Sequence, residues 1–200
     1  LYNGLCVISP LAEEPPFASL ISVTDASLSD WRDIPSDFLA TVSSVASASS
    51  TALKNVKVYA DQKYINVLVE FDPAQITDKS WVPFHMYINT DNSTATGGYG
   101  DQWSDADTDI LLEGAVFADN QMVSYDPTLF QWAGTLGGNG WTWEELTATS
   151  LPVGASQMIG NNIEIQILRE YIPTLWSNVG FTMGFDIQQN WSSVGVLPNA

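Results

Sequence analysis

From Val56 onward, apolar and polar positions alternate with a period of two, the pattern of strands lying half buried against a core. Val56 and Val58 alternate with Lys57 and Tyr59; Ile65, Val67, Val69 and Phe71 oppose Tyr64, Asn66, Leu68 and Glu70. Phe84, Met86 and Ile88 alternate with His85, Tyr87 and Asn89. Ile163, Ile165 and Ile167 alternate with Glu164, Gln166 and Leu168, and Phe181, Met183, Phe185 and Ile187 form a last inward row. Ile110 to Phe117 is apolar on nearly both faces, as expected of a central strand covered on each side. Asp72-Pro73, Gly97-Gly98, Asp126-Pro127, the Gly137–Gly140 run and Gly160-Asn161 separate the rows. The only helical candidate is a turn or two near Arg169 to Leu175. These elements predict an all-β chain folded as an antiparallel two-sheet jelly-roll β-sandwich.

The first 20 residues lack periodicity and carry Pro10 and Glu13-Glu14-Pro15-Pro16, so they read as an extended arm or linker. Residues 21–200 read as one domain. Within it, Thr41 to Thr51 is rich in Ser and Ala and fits an irregular strand or a loop equally well.

Composition narrows the partners. The 200 residues carry 23 acidic and 6 basic side chains, a formal net charge of −17. Each phosphate contact needs a Lys or Arg to displace counterions, so nucleic acid and anionic lipid are excluded as ligands. No apolar run approaches the ~20 residues of a membrane-spanning helix, so no membrane insertion by this chain is expected. One cysteine, Cys6, cannot form an internal disulfide, and one histidine, His85, excludes a site needing two imidazoles. Cys6 reads as a structural thiol and His85 as a structural histidine. The first residue is Leu1 rather than Met, which fits loss of a leader. With few lysines and many Ser, Thr, Asn, Trp and Tyr, the expected location is extracytoplasmic: secreted, periplasmic or cell-surface.

Three stretches carry a resemblance. Val23-Thr24-Asp25-Ala26-Ser27-Leu28-Ser29-Asp30-Trp31, followed by Ile34-Pro35, resembles the opening of family 9 carbohydrate-binding modules and their DOMON-like relatives. Val56 to Val67 resembles their early hairpin, and Tyr87-Ile88-Asn89-Thr90-Asp91-Asn92 resembles a strand end. Ala26 stands where glycine is usual and Asn89 where aspartate is usual. The resemblance implies a two-sheet sandwich, often secreted, that binds sugar in some members and haem or other ligands in others. No axial ligand pair for haem is suggested, and no sugar-stacking tryptophan of that family matches by position.

Between Ser80 and Leu168 there is no Lys or Arg, yet Asp91, Asp101, Asp105, Asp107, Asp109 and Glu113 crowd into one short window. If extended, Asp105, Asp107 and Asp109 share a face at about 7 Å spacing. Each neighbouring pair then repels by about 0.6 kcal/mol in water and about 2.4 kcal/mol at an effective dielectric of about 20. A hard cation offsets this, and calcium takes six to eight oxygen ligands. Asn89, Asp91, Asn92, Asp107 and Asp109 are the candidate ligands of a structural calcium. The spacing is not that of an EF-hand, and the alternative is a set of solvated or turn-forming aspartates.

Eight tryptophans are the second signal. Trp31 and Trp81 are expected in the core, whereas Trp103, Trp132, Trp141 and Trp143 sit among turn residues. An indole exposed in a loop offers a flat apolar platform with one polar N–H, on which the C–H face of a pyranose stacks. Tyr99, Trp103, Trp141 and Trp143 are therefore the candidate ligand-binding residues. Together these features point to a non-catalytic carbohydrate-binding domain with a structural calcium. Two alternatives stand beside it. A polysaccharide-active enzyme would draw on Glu113, Glu164, Asp109 or Asp186, and needs two carboxyls at a fixed separation. A protein-interaction domain of a surface assembly would use the Trp-rich loops as an apolar patch.

Overall fold

The computed structural model describes residues 5–8, 20–44, 51–99, 102–103, 106–146, 155–172, 175 and 180–199. The strands are β1 (Cys6–Ile8), β2 (Leu39–Ser43), β3 (Leu53–Ala60), β4 (Tyr64–Phe71), β5 (Trp81–Asn89), β6 (Ile110–Ala118), β7 (Gln121–Met122), β8 (Thr128–Trp132), β9 (Trp143–Glu145), β10 (Ala155–Ile159), β11 (Asn162–Leu168), β12 (Phe181–Gln189) and β13 (Ser192–Leu197). Short 3-10 turns at Ser29–Arg32, Pro73–Gln75 and Arg169–Tyr171 are the only helical elements among the described residues. No helix among them is long and apolar enough to cross a membrane.

The strands form two antiparallel sheets. The larger runs β1-β12-β5-β6-β8-β9, with β13 also on β12 and β7 on β6; the smaller runs β10-β11-β4-β3-β2. The alternating rows explain the pairing. Val58, Val67 and Ile165 project from the smaller sheet into a core that also takes Phe84, Leu112 and Phe185 from the larger. Phe84 stacks parallel to Phe185 and meets Phe71 edge to face, with centroids 6.4 and 5.7 Å apart. Burying each such side chain contributes roughly 1.5–3 kcal/mol, and a one-residue slip would turn the whole row to the other face.

Both sheets are also covered on their outer faces. Residues 20–38 fold over the smaller sheet, laying Ile21, Val23, Trp31 and Ile34 against Tyr59 and Leu68. Trp31 is thus buried as expected, although outside the main core. Ala26, in this segment, adopts φ 58°, a conformation glycine reaches without strain. The N-terminal segment contributes more than a linker: β1 pairs with β12, opposing Cys6 to Met183 and Ile8 to Phe181. Burial pushes the Cys6 thiol up to about 11, so it is inert in the native state. In the Ser/Ala-rich stretch, Leu39–Ser43 is strand β2, and residues 45–50 lie outside the described set.

Beneath the cover of the smaller sheet, Glu164 is fully buried and accepts a 2.6 Å hydrogen bond from Trp31 Nε1. Burial pushes its carboxyl up, Asp25 and Asp30 push the same way, and the indole N–H opposes them. A carboxyl raised in the native state binds its proton more tightly there, so stability is lost as pH rises past its ordinary value. Glu164→Gln keeps an acceptor for Trp31, and its stabilising effect in urea denaturation should be larger at pH 8 than at pH 4. Trp31→Phe withdraws the donor and should cost about 1–3 kcal/mol at pH 8.

Candidate functional site

Alternation along β5 that sends Val82, Phe84, Met86 and Ile88 inward sends Trp81, Pro83, His85, Tyr87 and Asn89 to the outer face of the larger sheet. Register sets Glu113 of β6 on one side of His85 and Asp186 of β12 on the other. His85 Nε2 lies 2.7 Å from Glu113 Oε2, and Nδ1 lies 3.8 Å from Asp186 Oδ2. Gln188 Nε2 donates to Asp186 Oδ2 at 2.6 Å. His85 and Asp186 are buried, whereas the Glu113 side chain keeps 23% of its surface. Burial acts to push the imidazole down, but the Asp186 and Glu113 carboxylates outweigh it and raise His85 to about 9. At neutral pH the imidazole is therefore a cation clamped between two anions rather than a base.

An aromatic layer packs on the same face. Tyr87 contacts Trp103 and Trp143 at centroid separations of 6.1 and 6.2 Å, and Trp143 meets Trp132 at 5.3 Å. Trp103 Nε1 donates to the Pro198 carbonyl at 3.1 Å. Gly184, in the middle of β12, makes room for it: a Cβ there would lie 2.7 Å from both the Trp103 ring and Leu5. Gly98 and Gly134 leave comparable room for Trp132. Trp141 stands outside this layer, 55% exposed, with its ring 6.5 Å from His85 and 6.2 Å from half-buried Tyr99.

The four aromatic candidates thus divide. Trp141 is the open platform, with Tyr99 at its edge. Trp103 and Trp143 are buried, which corrects the expectation of loop platforms: Trp143 belongs to strand β9 and packs on Tyr87 and Trp132, and Trp103 lies back over the Tyr87 and Leu111 part of the outer face. Trp81 is corrected in the opposite sense, since it is 54% exposed at the start of β5. Trp191, in the β12–β13 turn, is also strongly exposed. Trp176 lies outside the described residues. The sequence reading missed the His85–Glu113–Asp186 cluster as a unit. The signal available was the outward half of the β5 alternation, which names His85 but not its cross-strand partners.

The five candidate calcium ligands also divide. Asp91 accepts from Ser93 N at 2.8 Å and from the Thr96 hydroxyl at 3.1–3.2 Å. Asp109 accepts from Thr90 N and Oγ1 at 2.8 and 3.0 Å, and Thr96 reaches it as well. Burial pushes the Asp109 carboxyl up, the Thr90 bonds pull it down, and Asp91 adds to the rise. Asp91 and Asp109 line one cleft of about 370 Å³ with Gln131, Trp132 and Leu136. Asn89 donates its amide N–H groups to the Ser93 and Ala106 carbonyls and Asn92 to that of Gly180, and the Oδ1 atoms of both are buried without a hydrogen-bond partner among the described residues. Asp107 adopts φ 47°, so the chain turns there, and the expected shared face with Asp109 does not form. Asp105 lies outside the described residues. Among the described residues no three His, Cys, Asp or Glu side chains gather as a metal site. The part that fits a hard cation is the Asp91–Asp109 pair, two carboxylates that both reach the Thr96 hydroxyl.

Glu164 and Glu113 lie on opposite sheets, so they cannot form a carboxyl pair across one substrate. No protein-family model matches the chain, and no curated protein matches it.

The His85 clamp sets a pH dependence. An imidazole raised from 6.5 to about 9 contributes stability that is complete below pH 6.5 and is lost as pH climbs through 9. Urea denaturation should show a loss on the order of 3 kcal/mol between pH 6 and pH 9, most of which His85→Gln removes.

Proposed function

We propose that this chain is a non-catalytic carbohydrate-binding domain that holds a neutral glycan on the outer face of its larger sheet, in an extracytoplasmic setting. The observation that carries the reading is Trp141: an exposed indole held beside the Glu113–His85 pair. The ring offers a stacking surface, and the exposed part of the Glu113 carboxylate accepts from sugar hydroxyls next to it. His85 fixes Glu113 in place, so the acceptor is oriented before ligand arrives. The net charge of −17 favours neutral over anionic glycans. The resemblance of the opening segment to family 9 modules supports the same class of ligand.

Recognition fits the site better than turnover. Asp186, the second carboxylate across His85, has no exposed surface, so a sugar cannot reach it. Glycoside hydrolysis needs two carboxyls that both reach the scissile bond.

A neutral-glycan array should give hits for the wild-type protein. Trp141→Ala should weaken retention on the matching polysaccharide gel at least tenfold, a loss of about 1.4 kcal/mol, with the unfolding transition unchanged. A blank array accompanied by concentration-dependent self-association would replace this reading with that of an interaction domain.

The reading includes a structural calcium held at Asp91 and Asp109, with further oxygens from backbone or water. A cation bound only to the native state stabilises it by mass action. Chelator should lower the melting temperature by several degrees and restored calcium should recover it. Equal melting temperatures would remove the metal.

A further inference from the structure

The outer face of the larger sheet has a second aromatic feature at its other end. Trp81 opens β5, and Trp191 sits in the two-residue turn joining β12 to β13; they line one cleft of about 190 Å³ with Ser80, Pro83 and Asn190. Trp81, Pro83 and His85 project from the same side of β5. Four residues of strand rise therefore place the cleft on the order of 13 Å from the His85–Trp141 site along that face.

Trp191 occupies this turn at a conformational cost. Asn190 and Trp191 have φ 50° and 60°, the pattern of a turn whose second position favours glycine. A bulky residue there is strained, and its ring is 68% exposed, so neither backbone preference nor core packing accounts for it. The turn is also held rigidly. Gln189 Oε1 accepts from Thr77 N and Asp78 N at 2.8 and 3.0 Å, and Asn190 bonds the Asp78 side chain. Ser80, beside Trp81, is fixed by Asp119 N, which donates to its carbonyl at 3.0 Å. Both indoles are thus mounted on segments tied to each other.

We infer that Trp81 and Trp191 form a second saccharide subsite, so that one neutral glycan chain runs from the Trp141 platform to this clamp. The inference rests on the carbohydrate reading above. Two exposed indoles lining one cleft offer stacking surface to a pyranose, Asn190 and Ser80 line the same cleft within reach of its hydroxyls, and the acidic surface disfavours a polyanion. Linking two subsites makes the second contact intramolecular, so affinity rises with chain length until both are spanned.

Titration calorimetry with the disaccharide and hexasaccharide of the cello-, xylo- and manno-series tests this. In the series that binds, the hexasaccharide should bind at least tenfold more tightly than the disaccharide. Trp191→Gly should raise the melting temperature by relieving the turn, yet reduce hexasaccharide affinity to the disaccharide level and leave disaccharide affinity unchanged. Trp81→Ala should have the same effect on binding. Wild-type hexasaccharide affinity in both variants, with binding lost in Trp141→Ala, would overturn the clamp and leave the carbohydrate reading standing. Binding of no series by the wild-type protein would overturn both.

Discussion

The central strands of the larger sheet are buried on both faces, and that constraint governs the rest of the molecule. A strand packed on one side can leave its polar half in water. Here β5, β6 and β12 cannot, because the aromatic layer closes over much of their outward side. Every polar residue in the outward rows must then find a protein partner or forfeit the solvation it gives up. His85, Glu113, Asp186 and Gln188 meet part of that demand jointly, across three adjacent strands, while His85 Nδ1 and Asp186 Oδ1 are held by charge attraction without a hydrogen bond among the described residues. One positive charge between two negative ones allows the charges to be withdrawn from water together, and it also leaves Glu113 held at the margin of the covered region.

The fold was legible because its strongest signal is strictly local. Rows such as Ile65-Val67-Val69-Phe71 and Phe181-Met183-Phe185-Ile187 specify strands and their inward faces within a few residues, and those faces are the ones buried between the sheets. The doubly apolar stretch around Leu111 and Leu112 likewise signalled a strand covered twice, and its two side chains enter different clusters. The pairing of Glu113 and Asp186 with His85 was not legible, since it depends on which strands become neighbours and in what register.

Exposure of the tryptophans was harder still. Turn residues flanking Trp103 and Trp143 suggested open loops, but Trp143 belongs to strand β9 and the Trp103 segment folds back over the sheet. Gly184 permits that return by clearing space for Trp103, as Gly98 and Gly134 do for Trp132 on β8, and they look the same in sequence as glycines that merely turn the chain. Trp81 misled in the opposite direction: it precedes an apolar row yet lies on the outward parity of its strand. The aspartate spacing failed at one residue, Asp107, whose left-handed backbone breaks the extended geometry on which two-residue periodicity depends. Local side-chain identity gives little warning of such a turn.

Cys6 gives the molecule a built-in reporter. Its thiol sits on the three-residue strand at the margin of the larger sheet, paired with β12 and packed over β2 and β3, and is buried in the native arrangement. An alkylating reagent therefore gains access only when that margin peels away, and the rate of modification counts those openings. Detachment of the N-terminal strand can in this way be timed separately from the collapse of the whole sandwich, with no engineered label.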